Sequence, residues 1–218
     1  MGEEMHEHIT WEQIEKWTKE KHARGHHAEK IGKLIIELDA RVIGLKNPKT
    51  GLLQIVDPKD FGIEKLSAEA ELIAHKKDEG QYLVYVLNPG SGKLVLLELI
   101  LEKEAFGVYS KDFDLEEKLS KKNNIVIDGE TAAICTHKVL YVIRGGNHVG
   151  ITLEKAGIKE IKRPVFGVGK SEKHLWLAVM EKGASEALLV CLTDSDLGYA
   201  VRRKEENELK DKELLEGD

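Results

Sequence analysis

Residues 164–171 have the composition of a phosphate-binding loop. They read PVFGVGKS and end in Gly-Lys-Ser, the last three residues of that motif. The motif also needs a glycine five residues before Gly169 and a helix after the serine, so that backbone N–H groups and the helix N-terminus face the phosphate. Pro164 stands at the first of these positions, and strand-like apolar residues follow Ser171. We therefore predict an ordinary strand and turn here, without nucleotide binding.

Residues 144–150, RGGNHVG, offer the clearest ligand-binding chemistry. Arg144 could pair bidentately with a carboxylate or a phosphate, and His148 could donate or shuttle a proton. Gly145, Gly146 and Asn147 form a loop that we expect to run from a strand to the start of a helix, where free N–H groups favour an anion. These five residues are our candidates for a ligand site. The alternative is a flexible turn in which glycine permits positive φ.

Three histidines near the N-terminus, His22, His26 and His27, are candidate metal ligands. His22 and His26 are four residues apart and would share one helix face, which suits two nitrogen ligands on one zinc ion. Glu20 or Glu29 could add a carboxylate. The sequence has no HExxH signature, and a glycine between the first two histidines interrupts the helix. The alternative interpretation is a solvated polar face.

Composition narrows the class of protein. The 218 residues carry a formal net charge of −6, so no chain-wide basic field attracts nucleic acid or anionic lipid. Apolar residues make up 41%, and no apolar run is long enough to span a bilayer, which predicts a folded cytoplasmic protein. Cys135 and Cys191 lie in apolar runs without disulfide or metal spacing, so we expect buried, reduced thiols. Abundant Lys and Glu with few Gln are typical of thermophile proteins.

Local patterns predict a helix followed by many strands. Thr10 and Gln13 form a capping-box pattern that begins a helix. A helix is also predicted at residues 111–122, and one or two helical turns at 152–157. Apolar and β-branched runs predict strands at residues 34–38, 41–45, 52–56, 71–76, 81–87, 93–101, 125–127, 131–136, 139–144, 165–168, 175–180 and 187–193.

The order of these elements suggests an internal duplication. Residues 82–90 align with 175–183 at an offset of 93, and the apolar positions that follow stay aligned. We therefore predict an α+β fold of two β-rich halves, each an antiparallel meander preceded by a helix. The expected organisation is an N-terminal helical segment (1–36), a first β-rich repeat (37–108), a second helix-plus-β repeat (109–201) and a charged C-terminal tail (202–218).

Function follows from these features only as a set of alternatives. The sequence shows no set of catalytic residues that would decide whether the protein is an enzyme. The favoured hypothesis is a non-catalytic protein that binds a small anionic ligand or a protein partner, with no nucleic acid or membrane partner. A metal-dependent hydrolase that uses the histidine cluster is the second hypothesis. The third is a scaffold that assembles into a homo-oligomer through exposed strand edges.

Overall fold

The fold is almost entirely β. The computed structural model of the protein describes residues 9–20, 28–39, 41–103, 105–115, 125–128, 130–144, 147–171, 174–193 and 197–204. Within them the chain forms one α-helix and sixteen strands. The strands make four antiparallel sheets of four strands, and strands that are consecutive in sequence are neighbours in each sheet. The prediction of an α+β fold with a helix before each meander is therefore wrong.

The boundaries of the elements are as follows. Helix α1 spans Trp11–Lys19. The first sheet consists of β1 (Ala28–Ile31), β2 (Leu34–Leu38), β3 (Ile43–Asn47) and β4 (Leu52–Val56). The second consists of β5 (Glu71–Asp78), β6 (Gln81–Leu87), β7 (Lys93–Leu101) and β8 (Phe106–Asp114). The third consists of β9 (Ile125–Asp128), β10 (Thr131–Cys135), β11 (Val139–Arg144) and β12 (Asn147–Thr152). The fourth consists of β13 (Pro164–Lys170), β14 (Leu175–Glu181), β15 (Glu186–Leu192) and β16 (Leu197–Arg203).

Helix α1 begins at the predicted capping box. The Gln13 N–H donates to Thr10 Oγ1 at 3.2 Å, and the Thr10 N–H donates to Gln13 Oε1 at 2.8 Å. Trp11, Ile14 and Trp17 recur at helical spacing and are buried together on one side of the helix. No helix in the described residues is long and apolar enough to cross a membrane.

The chain divides into two compact units. The first unit comprises Ala23–Thr136 and Val142–Val149, and the second comprises Met1–His22, His137–Tyr141 and Gly150–Asp218. In the first unit the first and second sheets share one core, to which Ile36 and Leu45 contribute from one sheet and Val84 and Leu97 from the other. In the second unit α1 packs on the fourth sheet. Each unit thus has its own hydrophobic core.

Burial explains which strands the sequence predicted well. Every residue of β6 from Tyr82 to Leu87 is buried, so the strand is a continuous apolar run rather than an alternating one. The side chains of Tyr82, Val84 and Val86 belong to the core shared with the first sheet. Leu83 and Tyr85 lie on the opposite face, because successive side chains in a strand alternate. The predicted strands at 71–76, 81–87 and 93–101 are confirmed as β5, β6 and β7.

Three helical predictions are wrong or fall outside the described residues. Residues 111–114 are the end of strand β8. Phe113 is buried and both of its neighbours are exposed, and this alternation of buried and exposed residues is the pattern of a strand. Residues 116–124 lie outside the described residues. Residues 153–157 form a turn rather than a helix. The N-terminal segment that we predict to be helical as far as residue 36 instead contains β1, which pairs with β2.

The repetition of the sheets is present, although part of the predicted alignment is wrong. The first strand of the second sheet begins at Glu71 and that of the fourth at Pro164, 93 residues later. The third strands begin at Lys93 and Glu186, with the same offset. Further upstream, after small gaps, the apolar pattern of the sequence also aligns residues 34–36 with 125–127. These segments are the second strand of one sheet and the first strand of another, so that alignment is off by one strand.

Candidate ligand-binding site

The first unit contains a cavity of about 270 Å³ on one face of the second sheet. This face is opposite to the core that the sheet shares with the first sheet. The cavity is lined by Lys77, Leu83, Tyr85, Leu96, Glu98, Tyr109, Ser110, Lys111, Glu130 and Ile143. The lining combines apolar side chains, two tyrosines and four charged groups. Cavities that mix an apolar surface with a few polar groups are the usual form of small-molecule sites.

Strand register places the main lining side chains in two rows across β6, β7 and β8. The first row is Tyr85, Leu96 and Lys111, and the second is Leu83, Glu98 and Tyr109. Neighbours within a row are directly opposite across one strand pair, about 4.8 Å apart between strands. The backbone hydrogen bonds of three paired strands therefore fix the spacing of these groups.

A lysine between two carboxylates forms one end of the lining. Lys77 Nζ lies 3.8 Å from Glu98 Oε1 and 3.4 Å from Glu130 Oε1. The three side chains are 34%, 41% and 48% exposed, so these ion pairs add little to stability. One ammonium group offsets only one of the two carboxylates, and this group of three side chains is therefore net negative.

The hydroxyl of Tyr85 is the most unusual group at the cavity. Tyr85 is fully buried, and its Oη has no hydrogen-bond partner among the described residues. Burial raises the pKa of Tyr85 to about 12, and the charge of Glu130 adds to the shift. The phenol therefore stays protonated at neutral pH. A buried hydroxyl without a partner costs about 1–3 kcal/mol.

Lys111 is the lysine that β8 contributes to the lining, and it lies diagonally across the β7–β8 pair from Glu98. Its Nζ lies 5.7 Å from the centroid of the Phe113 ring, within the range of a cation–π contact. The ring of His148 meets the same Phe113 ring edge-on, with centroids 5.4 Å apart. Within the described part of the chain Lys111 makes no ion pair. Lys111 and His148 thus flank one aromatic ring beside the cavity.

The structure separates the residues that we predicted as one ligand loop. Gly145 and Gly146 lie outside the described residues. Asn147 and His148 are the exposed first residues of strand β12, so the loop joins two strands and does not lead to a helix N-terminus. Arg144 ends β11 and is half-buried. The preceding residue of β11 lines the cavity, so strand alternation directs Arg144 to the opposite face of its sheet.

The predicted metal ligands are not tested by this structure. His22, His26 and His27 lie outside the described residues. Among the described residues, no group of three or more His, Cys, Asp or Glu side chains could hold a metal ion. Cys135 and Cys191 are buried and form no disulfide, as predicted.

On the fourth sheet the corresponding face is covered by helix α1. At the offset of 93, Tyr85 corresponds to Ala178 and Glu98 to Cys191. Both counterparts are buried in the cluster that α1 forms with this sheet. Small and apolar residues therefore suffice to form a meander of this kind. The second sheet carries polar groups at positions where the fourth sheet has small, apolar residues that α1 covers.

Sequence reasoning missed this cavity because its residues form no local motif. They come from β5, β6, β7, β8 and β11 and from the turn before β10. The one available signal was the difference between the repeats at aligned positions, Tyr85 against Ala178 above all. No family model matches the chain, and no curated protein matches it.

Proposed function

We propose that the protein binds a small anionic ligand in the cavity of the first unit. The observation that carries this proposal is Lys111, a lysine at the cavity that forms no ion pair within the described residues. An unpaired ammonium beside a cavity attracts a carboxylate or phosphate, and a charge-assisted hydrogen bond to it is about twice as strong as a neutral one.

The charged groups of the lining act on an anion in opposite ways. The carboxylates of Glu98 and Glu130 repel it, whereas Lys111, diagonally across from Glu98, attracts it. His148 lies beside Lys111 across the Phe113 ring and, when protonated, would add to this attraction. An apolar part of the ligand would contact the leucine and isoleucine side chains of the lining. We therefore retain His148 as a ligand-binding residue; Arg144 and Asn147 remain untested candidates.

Binding is a better account of the lining than acid–base catalysis. A general acid or base works best when its pKa lies near the working pH. Burial holds the pKa of Tyr85 at about 12, far above neutral pH. Lys77 is engaged by two carboxylates and is not available as a nucleophile at the same time. These groups can recognise a ligand without transforming it.

Replacing Lys111 with alanine tests the proposal. We expect small anions such as benzoate, butanoate and inorganic phosphate to raise the melting temperature of the wild-type chain. For the anion that binds most tightly, Lys111→Ala should weaken binding about tenfold in isothermal titration calorimetry, which corresponds to about 1.4 kcal/mol. Lys111 is exposed, so the variant should keep its fold.

Lys46→Ala is the matched control. Lys46 is an exposed lysine in a strand of the same unit and does not line the cavity. Removal of the Lys46 side chain changes the net charge by the same amount as Lys111→Ala. If both variants weakened anion binding equally, the attraction would depend only on the net charge of the protein. That result, or unchanged affinity in Lys111→Ala, would contradict the proposed site.

Self-assembly is the second candidate function, and one observation favours it. Leu53 and Ile55 are 63% and 64% exposed on β4, which is an edge strand without charged residues. Uncharged edge strands can pair with the same strand of another copy. Antiparallel pairing centred on Gln54 would place Leu53 beside Ile55 of the second copy.

A Leu53→Lys variant should then be monomeric in light scattering where the wild-type chain dimerises. A monomeric wild type at high concentration excludes this candidate.

A further inference from the structure

Two buried tyrosines on the same strand differ in how their hydroxyls are satisfied. Tyr82 and Tyr85 are 1% and 0% exposed. The backbone N–H of Lys33 donates to Tyr82 Oη at 3.2 Å, whereas Tyr85 Oη has no partner among the described residues. The fold thus provides for one hydroxyl and leaves the other, beside the cavity, without a hydrogen bond.

The fold does not require a tyrosine at this position. The counterpart of Tyr85 in the fourth sheet is Ala178, which is fully buried in an equivalent strand. A phenylalanine would fill the same space without an unsatisfied hydroxyl. A group that costs stability and is dispensable for the fold is best explained by a role in binding.

We propose that Tyr85 Oη recognises a neutral hydrogen-bonding group, a hydroxyl or a carbonyl, on the anionic ligand bound at Lys111. This inference rests on the proposed function. Tyr85 and Lys111 lie in one row with Leu96 between them, so their Cα atoms are about 9.5 Å apart. One small molecule can reach both. The ligand class is therefore a small hydroxy or oxo acid, or the corresponding phosphate.

The partner group must be neutral because of the neighbouring carboxylates. Glu98 and Glu130 line the same cavity, and the Glu130 charge acts on the Tyr85 hydroxyl. A second anionic group would be repelled there.

The Tyr85 hydroxyl has almost no solvent-accessible surface, so a ligand reaches it only after a neighbouring side chain turns away. Glu130 lines the same cavity with a side chain 48% exposed, so a change in its conformation is one way to open this path.

Matched pairs of probes test the inference on the full chain. Benzoate is compared with 4-hydroxybenzoate, and butanoate with 4-hydroxybutanoate, by isothermal titration calorimetry. In the wild-type chain the hydroxylated member of at least one pair should bind tenfold or more tightly than its partner. In Tyr85→Phe this preference should fall below twofold, because the hydroxyl of the probe then has no partner.

The ligand-free protein gives a second, independent readout. Tyr85→Phe should raise the melting temperature by about 2–4 °C, because it removes an unsatisfied buried hydroxyl. The matched control, Tyr82→Phe, should lower it, because it leaves the Lys33 N–H without its acceptor. A Tyr85→Phe variant that melts below the wild type would show that the hydroxyl is already satisfied, and would overturn the inference.

The outcomes separate this inference from the proposed function. If no probe binds, both are wrong. If binding depends on Lys111 but neither pair shows a preference, or the preference survives in Tyr85→Phe, the inference is wrong and the anion site stands. A preference that requires Tyr85, together with a more stable ligand-free variant, supports both.

Discussion

Replacing Gly169 with alanine should destabilise the second unit by about 3 kcal/mol or more. A Cβ atom built on Gly169 overlaps the indole ring of Trp17, whose atoms Cε2, Cζ2 and Cδ2 are its nearest neighbours. Trp17 is 9% exposed and belongs to the core between α1 and the fourth sheet. The ring lies against the backbone of β13, so the methyl group fits only if the helix moves. Urea unfolding followed by tryptophan fluorescence measures the loss.

Two further glycines extend the test: Gly167 is a second crowded position, and Gly44 is the control. At Gly167 an added Cβ would lie 2.9 Å from Thr18 N and from Trp17 Cβ, so Gly167→Ala should also destabilise. At Gly44, in strand β3, the nearest atom would be 3.9 Å away, so Gly44→Ala should change stability by less than about 0.5 kcal/mol.

A double-mutant cycle identifies the cause. In a Trp17→Ala background the ring is gone, and Gly169→Ala should then cost less than about 1 kcal/mol. If the cost of Gly169→Ala is the same with and without the Trp17 ring, contact with the ring is not what excludes a side chain there.

These glycines show what the sequence could predict and what it could not. The residues that resemble a phosphate-binding loop were predicted to form a strand, and they form β13. That prediction used only local features, Pro164 in place of the first glycine of the motif and a strand-like pattern after Ser171. The reason for Gly167 and Gly169 is a tryptophan in a distant helix, and no local pattern contains that contact.

The central strands could likewise be predicted from the sequence, whereas some of the edge strands could not. β6 and β14 are covered on both faces, so their apolar runs identified them in the sequence. β8 and β12 have mostly exposed residues, and their polar sequences resembled a helix and a loop. The error at β8, together with the other incorrect helical predictions, led to the α+β assignment. The error at β8 also hid the cavity, because β8 supplies Tyr109 and Lys111 to it.

Of the predicted site residues that the structure describes, His148 lies against Phe113, the ring that the cavity residue Lys111 also contacts. Arg144 and His148 are close in sequence, but strand alternation directs Arg144 away from the cavity face and the β11–β12 hairpin brings His148 to Phe113. Tyr85 and Lys111 become neighbours only through the pairing of three strands. The register of paired strands depends on the geometry of the turns and on the packing of the core, and neither can be read from a single sequence.

Replacing Gln54 with alanine should destabilise the first unit by about 3 kcal/mol. The Gln54 side chain binds both backbone groups of Phe106, the first residue of β8. Its Nε2 donates to Phe106 O at 3.0 Å, and the Phe106 N–H donates to its Oε1 at 2.8 Å. Leu101, opposite Phe106 in β7, donates its own N–H to Gly80 O. The two groups of Phe106 therefore face the outer edge of the sheet.

The cost is large because Phe106 is 3% exposed and water cannot easily replace the lost amide. Gln81→Ala is the control, since Gln81 is half-buried in the same unit and its side chain makes no hydrogen bond within the described residues. Urea unfolding should separate the two variants by at least 2 kcal/mol. Exchange of the Phe106 amide hydrogen should also become faster in Gln54→Ala alone. Equal stabilities, with unchanged exchange at Phe106, would show that the bridge between β4 and β8 does not stabilise this unit.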